Sequence, residues 1–134
     1  MAAKTVLVMD HDECMRELLR LHLGNAGYAV LEAEDAVVAG RLLLERRPDL
    51  VLAEVELPYL SGLELVEAMK SDPATRAVPV IFITSRTDAE PRARALGAAA
   101  FFGKPLHVDL LLQTVAQHVN GRNGVRRNGV RTNF

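Results

Sequence analysis

The sequence predicts a doubly wound α/β domain, and three observations predict it. Short apolar runs rich in β-branched residues recur along the chain. Each is followed by a stretch whose apolar residues have helical spacing. Gly, Pro and Asp fall at the junctions. The length of 134 residues suits one such domain, which can bury an ample core without disulfides or metal.

The elements follow in order. Thr5-Val6-Leu7-Val8-Met9 is apolar on both faces, as a central parallel strand requires, and stops at Asp10-His11-Asp12. Met15, Leu18, Leu19, His22, Leu23 and Ala26 then keep helical spacing, with Asp12 as N-cap and Gly27 as stop. Ala29-Val30-Leu31 reads as a second strand. Asp35 caps a helix running to Arg47, which Pro48 ends. Leu50-Val51-Leu52-Ala53 is a third strand, ending at Glu54. The loop Leu57-Pro58-Tyr59-Leu60-Ser61-Gly62 leads into a helix with Leu65, Val66 and Met69 on one side. Val80-Ile81-Phe82-Ile83 is a fourth strand, opened by Val78-Pro79 and ending at Thr84-Ser85. A weaker helix spans about Pro91 to Leu96, closed by Gly97. Ala99-Ala100-Phe101-Phe102 is a short fifth strand before Gly103-Lys104-Pro105. Val108 to Val119 is the last helix, with Leu111, Leu112, Val115 and Val119 as its stripe. Five alternations predict a parallel sheet with helices on both faces. The pattern alone leaves the strand order open.

Composition narrows the function classes. About half the residues are apolar, a quarter are charged and the net charge is -1, so there is no global field for nucleic acid or an anionic membrane. Cys14 is the sole cysteine, which excludes an internal disulfide and fits a reducing cytoplasm. It reads as a small buried or half-buried hydrophobe. The apolar run near the N-terminus is too short for a signal-peptide core, and no stretch reaches membrane-spanning length. A cytoplasmic location is expected, with no membrane partner. Residues 120–134 differ from the rest. Asn-Gly-Val-Arg occurs twice there, among four arginines and no acid. Residues 1–119 form the expected domain, and 120–134 a disordered basic tail or linker. A basic arm touching phosphates is the alternative for that tail, but a nucleic-acid role is disfavoured.

In an open parallel sheet, ligands bind beyond the carboxyl ends of the strands. Asp10, His11 and Asp12 end the first strand here, Glu54 the third, Thr84 and Ser85 the fourth, and Lys104-Pro105 the fifth. Acids, a hydroxyl and an amine converge on one rim from distant segments. Clustered acids repel and so favour a divalent cation. Mg²⁺ prefers hard oxygen ligands in octahedral geometry.

The segments Val6 to Glu13, Pro48 to Pro58 with Ser61-Gly62, Val78 to Ser85, and Gly97-Ala98 through Lys104-Pro105 resemble the receiver domains of bacterial response regulators. The resemblance covers about residues 4 to 119. It implies a flavodoxin-like (CheY-like) five-stranded sheet of order 2-1-3-4-5 and a role in two-component phosphorelay signalling. Glu54 stands where the family carries the aspartate phosphorylated by a histidine kinase. The resemblance also implies an acidic pocket at Asp10, His11 and Asp12. It implies a Mg²⁺ site at Asp10, Glu54 and the Glu56 carbonyl. Thr84 and Lys104 bind phosphoryl oxygens in the family, and Phe101 is an aromatic that turns inward on activation. The Lys104–Pro105 bond is implied to be cis.

Two departures modify these expectations. Glu54 has one methylene more than aspartate, which moves its carboxylate by roughly 1 Å, a misplacement that can cost about 100-fold in rate. Its permanent charge supplies part of what a phosphoryl group would. His11 replaces a metal-binding acid, and imidazole is a weak Mg²⁺ ligand. Asp12 cannot compensate without leaving its cap. Cofactors are therefore expected to be none, or weakly bound Mg²⁺, with a softer metal on His11, Asp10 and Glu54 as the alternative. The leading reading is an atypical receiver, not an enzyme. It acts as a protein-interaction switch on a kinase or a downstream effector. The face of the fourth helix, fifth strand and fifth helix would make the contact, and a second copy of the chain is a further candidate partner. The competing readings are an ordinary phosphorylatable receiver and a small cofactor-binding flavodoxin-like domain. The latter lacks a phosphate-cradling loop, since bulky Asp10-His11-Asp12 stands in its place. Whether Glu54 holds an active-like or an inactive form is left to the setting of Thr84 and Phe101.

Overall fold

A computed structural model describes residues 2–120. The proposed tail beyond Asn120 lies outside the described residues. In chain order the elements are β1 (Thr5–Met9), α1 (Glu13–Asn25), β2 (Ala29–Ala33), α2 (Ala36–Arg46), β3 (Leu50–Ala53) and α3 (Gly62–Ser71). They continue with β4 (Val80–Thr84), a 3₁₀ turn (Thr87–Ala89), α4 (Glu90–Ala95), β5 (Ala100–Gly103) and α5 (Val108–His118). All strand pairs are parallel, in the order β2-β1-β3-β4-β5. That is the order the resemblance implied.

Side-chain alternation explains the two layers of core. Leu7 and Met9 of β1, Val51 and Ala53 of β3, and Val80 and Phe82 of β4 pack under α2 and α3. Their neighbours Val6, Val8, Leu50, Leu52, Ile81 and Ile83 pack under α1 and α5, against Leu19, Leu23, Leu111 and Val115. The three central strands are thus buried on both faces, which is why they read as unbroken apolar runs.

The Asp12 and Asp35 caps fall where the sequence placed them; the cap on α3 was not among the expectations. The side chain of Asp12 accepts from the Cys14 amide, and that of Asp35 from the Val38 amide. Ser61 and Glu64 form a capping box on α3. Gly27 and Gly97 take positive φ angles after α1 and α4. The helix expected near Pro91 is short, because a 3₁₀ turn supplies its first residues; Pro91 sits in its first turn, where a missing N–H costs nothing. Cys14 departs from expectation: it is exposed on the first turn of α1, one residue off the apolar stripe. Among the described residues no helix is long and apolar enough to cross a membrane.

Gly62 fixes the approach of α3 to the sheet edge. Its amide donates to the Val55 carbonyl at 2.8 Å. A Cβ at this position would overlap the Glu54 carbonyl oxygen, a backbone atom that cannot swing aside. Gly62→Ala should therefore lower the unfolding free energy by about 2 kcal/mol in urea titration. Gly40→Ala is the control. A Cβ there meets open space within α2, so stability should rise by up to about 1 kcal/mol.

Candidate functional site

Three ionised side chains meet just past the carboxyl edge of the sheet. Asp10, Glu54 and Lys104 each extend the backbone ladder by one residue. Their amides donate to the carbonyls of Ala33 (3.1 Å), Met9 (2.9 Å) and Thr84 (2.9 Å) respectively. Strand alternation therefore still applies to them. All three fall in step with Val8, Leu52 and Phe102, on the α1–α5 side. Lys104 Nζ lies 3.0 Å from Asp10 Oδ2 and 2.8 Å from Glu54 Oε1. The other two oxygens take loop amides: Asp10 Oδ1 accepts from Asp12 N–H at 2.9 Å, and Glu54 Oε2 from Glu56 N–H at 3.1 Å.

Asp10 and Glu54 are only 4% and 6% exposed. Carboxylates this dry are costly unless they are paired and hydrogen-bonded. Here every carboxylate oxygen accepts an N–H, and one ammonium serves both groups. Burial pulls the Lys104 amine down. The hydrogen bonds it donates to Glu54 and Asp10, with the charges of both, outweigh burial and hold its pKa above the ordinary lysine value.

The other residues singled out in the sequence divide around this centre. Thr84 is fully buried, but it alternates with Phe82 toward the α2–α3 side. Its hydroxyl accepts from the Arg86 amide at 3.1 Å. Phe101 shares that side. It is half-buried against Phe82, with ring centroids 6.4 Å apart and a 41° tilt. The Lys104–Pro105 bond is cis. His11 and Asp12 are exposed. Asp12 is occupied by the α1 cap. His11 lines a shallow outer cleft with Glu56, Leu57, Pro58, Ser61 and Arg86. Next to this cleft Tyr59 is strongly exposed, in a left-handed conformation with φ of 74°.

Two arginines escaped the sequence reading. Arg16 donates to the carbonyls of Asp10 (2.8 Å) and His11 (3.2 Å) and pairs with Glu32 on β2. It stands four residues past the Asp12 cap, one helical turn on, which is a spacing that could have flagged it. Arg86 pairs with Asp88 at 2.8 Å and with Glu56 at 3.4 Å. The Asp88 hydrogen bond, more than its charge, holds the guanidinium above its usual value. In an exposed loop no periodicity pointed to it.

The Mg²⁺ implied by the resemblance can be tested against these donors. The two buried carboxylates already share an ammonium, Asp12 caps a helix, and the position next to Asp10 carries an exposed imidazole. Mg²⁺ requires an octahedron of hard oxygens and sheds water reluctantly. The donor set does not fit it. The softer alternative is also not assembled: among the described residues no three His, Cys, Asp or Glu side chains converge as a metal cluster, because His11 turns outward.

Removal of the ammonium tests the electrostatics. Lys104→Met should cost about 2–3 kcal/mol at neutral pH, since two buried carboxylates then lack a cation, and Glu54→Gln in that background should recover part of it. A folded-state pKa raised above the unfolded value contributes stability fully below about pH 10.4 and loses it as pH rises through the folded value. The gap between wild type and Lys104→Met should therefore narrow above that pH in urea titrations.

Residues 6–116 match the response regulator receiver domain. The phosphate regulon transcriptional regulatory protein PhoB of Pseudomonas aeruginosa is 36% identical over 107 residues, covering 78% of this chain and 47% of PhoB. The chain thus spans about half the length of that relative. The polar-differentiation response regulator DivK of Brucella anthropi is 31% identical over 118 residues, covering 87% of this chain and 96% of DivK. Among solved structures, the Vibrio cholerae chemotaxis protein CheY4 aligns with a TM-score of 0.81 at 27% identity, covering 87% of this chain and 99% of its own. The signal receiver domain of a signal transduction histidine kinase from Syntrophus aciditrophicus aligns with a TM-score of 0.83 at 27% identity, covering 98% and 100%. Sequence and fold agree, and the chain belongs to the response regulator receiver domain family of two-component signalling.

Proposed function

We propose that this receiver works as a protein-interaction module in two-component signalling without forming an acyl phosphate. The observation that carries the reading is the Lys104 bridge. In-line phosphoryl transfer needs a free carboxylate oxygen, a positioned cation and open donors. The oxygens of Glu54 are engaged by Lys104 and by the Glu56 amide. Glutamate also places its carboxylate roughly 1 Å from where an aspartate would, enough to slow transfer about 100-fold.

The Glu54 charge instead takes the place of the charge that phosphorylation would add. The two parts of the switch then have different settings. Phe101 lies inward against Phe82, as in an active-like form, while the Thr84 hydroxyl is held by Arg86 and not drawn to Glu54. The contact surface we assign is α4, the edge strand β5 and α5, where Leu110 is 48% exposed. A kinase, a downstream effector or a second copy of the chain would dock there.

Incubation with acetyl phosphate and Mg²⁺ should leave the intact mass unchanged. The double substitution Glu54→Asp with His11→Asp should gain one phosphoryl group. A stable gain by the unaltered chain, abolished in Glu54→Ala, would overturn the proposal.

A further inference from the structure

Away from the carboxylate rim, α2 and α3 enclose an apolar groove. Gly40, Leu43 and Leu44 line it from α2, and Leu65, Ala68 and Met69 from α3. Val37, Gly40 and Leu44 share one flank of α2, at i, i+3 and i+7. Val37 is 68% exposed and Leu44 56%, so the core of one chain does not account for them. Gly40 is the odd residue between them. Glycine inside a helix costs stability relative to alanine. Its φ is not positive, and an added Cβ would meet nothing within 4 Å. Among the described residues nothing requires a glycine there; a backbone approaching closely from outside does. Beside this flank Arg41 and Glu45 are exposed one turn apart, and among the described residues neither forms an ion pair. The arginines of α1 and α4 (Arg16, Arg20, Arg92 and Arg94) are all paired.

We propose that this flank is a self-association surface, on which α2 of a second copy lies antiparallel to α2 across a two-fold axis beside Gly40. Such a contact presents the same patch from both copies and closes at two. Reversal about that axis sets Val37 of each copy against Leu44 of the other, and the missing Cβ of Gly40 lets the two backbones approach. Charge selects this occupant. The flank carries one cation and one anion, so it is complementary to itself when reversed. Arg41 of each copy comes within a long side chain's reach of Glu45 of the other, and two ion pairs form where the single chain has none. A partner of one charge sign would leave Arg41 or Glu45 uncompensated. The second copy thus takes α2, and the face of α4, β5 and α5 is left to a kinase or an effector. The inference is independent of the phosphorylation reading, because nothing on this flank touches Glu54.

The test is sedimentation equilibrium of the full chain from low micromolar to sub-millimolar concentration. The mass of the wild type should rise from one chain toward two and no further. Leu44→Lys should weaken association by about tenfold or more. These positions are exposed, so the substituted chains should keep the fold, which circular dichroism checks. Arg41→Glu and Glu45→Arg should each weaken association alone, since each puts like charges across the axis. An equimolar mixture of the two should associate again, because acidic flank then meets basic flank. A wild type that stays a single chain throughout the range overturns the proposal, as does growth beyond two copies. A dimer that survives Leu44→Lys but is lost in Leu110→Lys also overturns it, by placing the contact on α5. So does a mixture that associates no better than its components.

Discussion

Two carboxylates lie out of water at the carboxyl edge of the sheet, and a single ammonium bridges them, leaving one net negative charge. Asp10 and Glu54 follow the adjacent strands β1 and β3, while Lys104 follows β5, on the far side of β4. The lysine must reach back across β4, and its four-carbon stem makes this feasible. The pair and its cation are separated by 94 and 50 residues in sequence, so their meeting depends on every crossover having been made correctly. Coulomb attraction at such burial is strong, but desolvation of three ions offsets much of it. The arrangement is therefore better understood as specifying which rim residues face each other than as a large source of stability.

Alternation of side chains separates this ionic centre from the switch residues. Asp10, Glu54 and Lys104 share the α1–α5 side, whereas Thr84 and Phe101 share the α2–α3 side. The two sets still touch through the backbone, because the Lys104 amide donates to the Thr84 carbonyl. A change in how Lys104 is held would therefore be felt at Thr84, and from there along β4 and β5. This contiguity joins the charge at position 54 to the ends of β4 and β5 by direct contacts. It is a path of contacts, and coupling along it is a matter for measurement.

Much of the fold was legible in the sequence for a plain reason. Central parallel strands are apolar on both faces, so Val6 to Met9, Leu50 to Ala53 and Val80 to Ile83 announce themselves. Capping residues mark helix starts by hydrogen bonds local in sequence, as Asp12 and Asp35 show. The site was legible as a set of residues but not as an arrangement. Strand ends predicted that Asp10, Glu54, Thr84 and Lys104 share a rim. Counting alternation past each strand end would have divided them; strand ends alone did not. Arg16 and Arg86 act through pairings distant in sequence or within an irregular loop, where no period applies. Cys14 misled because its hydrophobicity says nothing about which side of α1 it occupies.

The close contact between Gly62 and the Glu54 carbonyl has a consequence for how this position can change. The backbone at residue 54 is gripped on one side by the Met9 carbonyl and pressed on the other by the start of α3. It cannot slide to accommodate a longer or shorter side chain. Position 54 behaves as a socket of fixed depth, in which residue length converts directly into the place of the carboxylate. Exchange between glutamate and aspartate is therefore a change of span as well as of nucleophile. With aspartate the charge would retreat while its anchor stayed put, and Lys104 would have to follow it inward or remain with Asp10 alone.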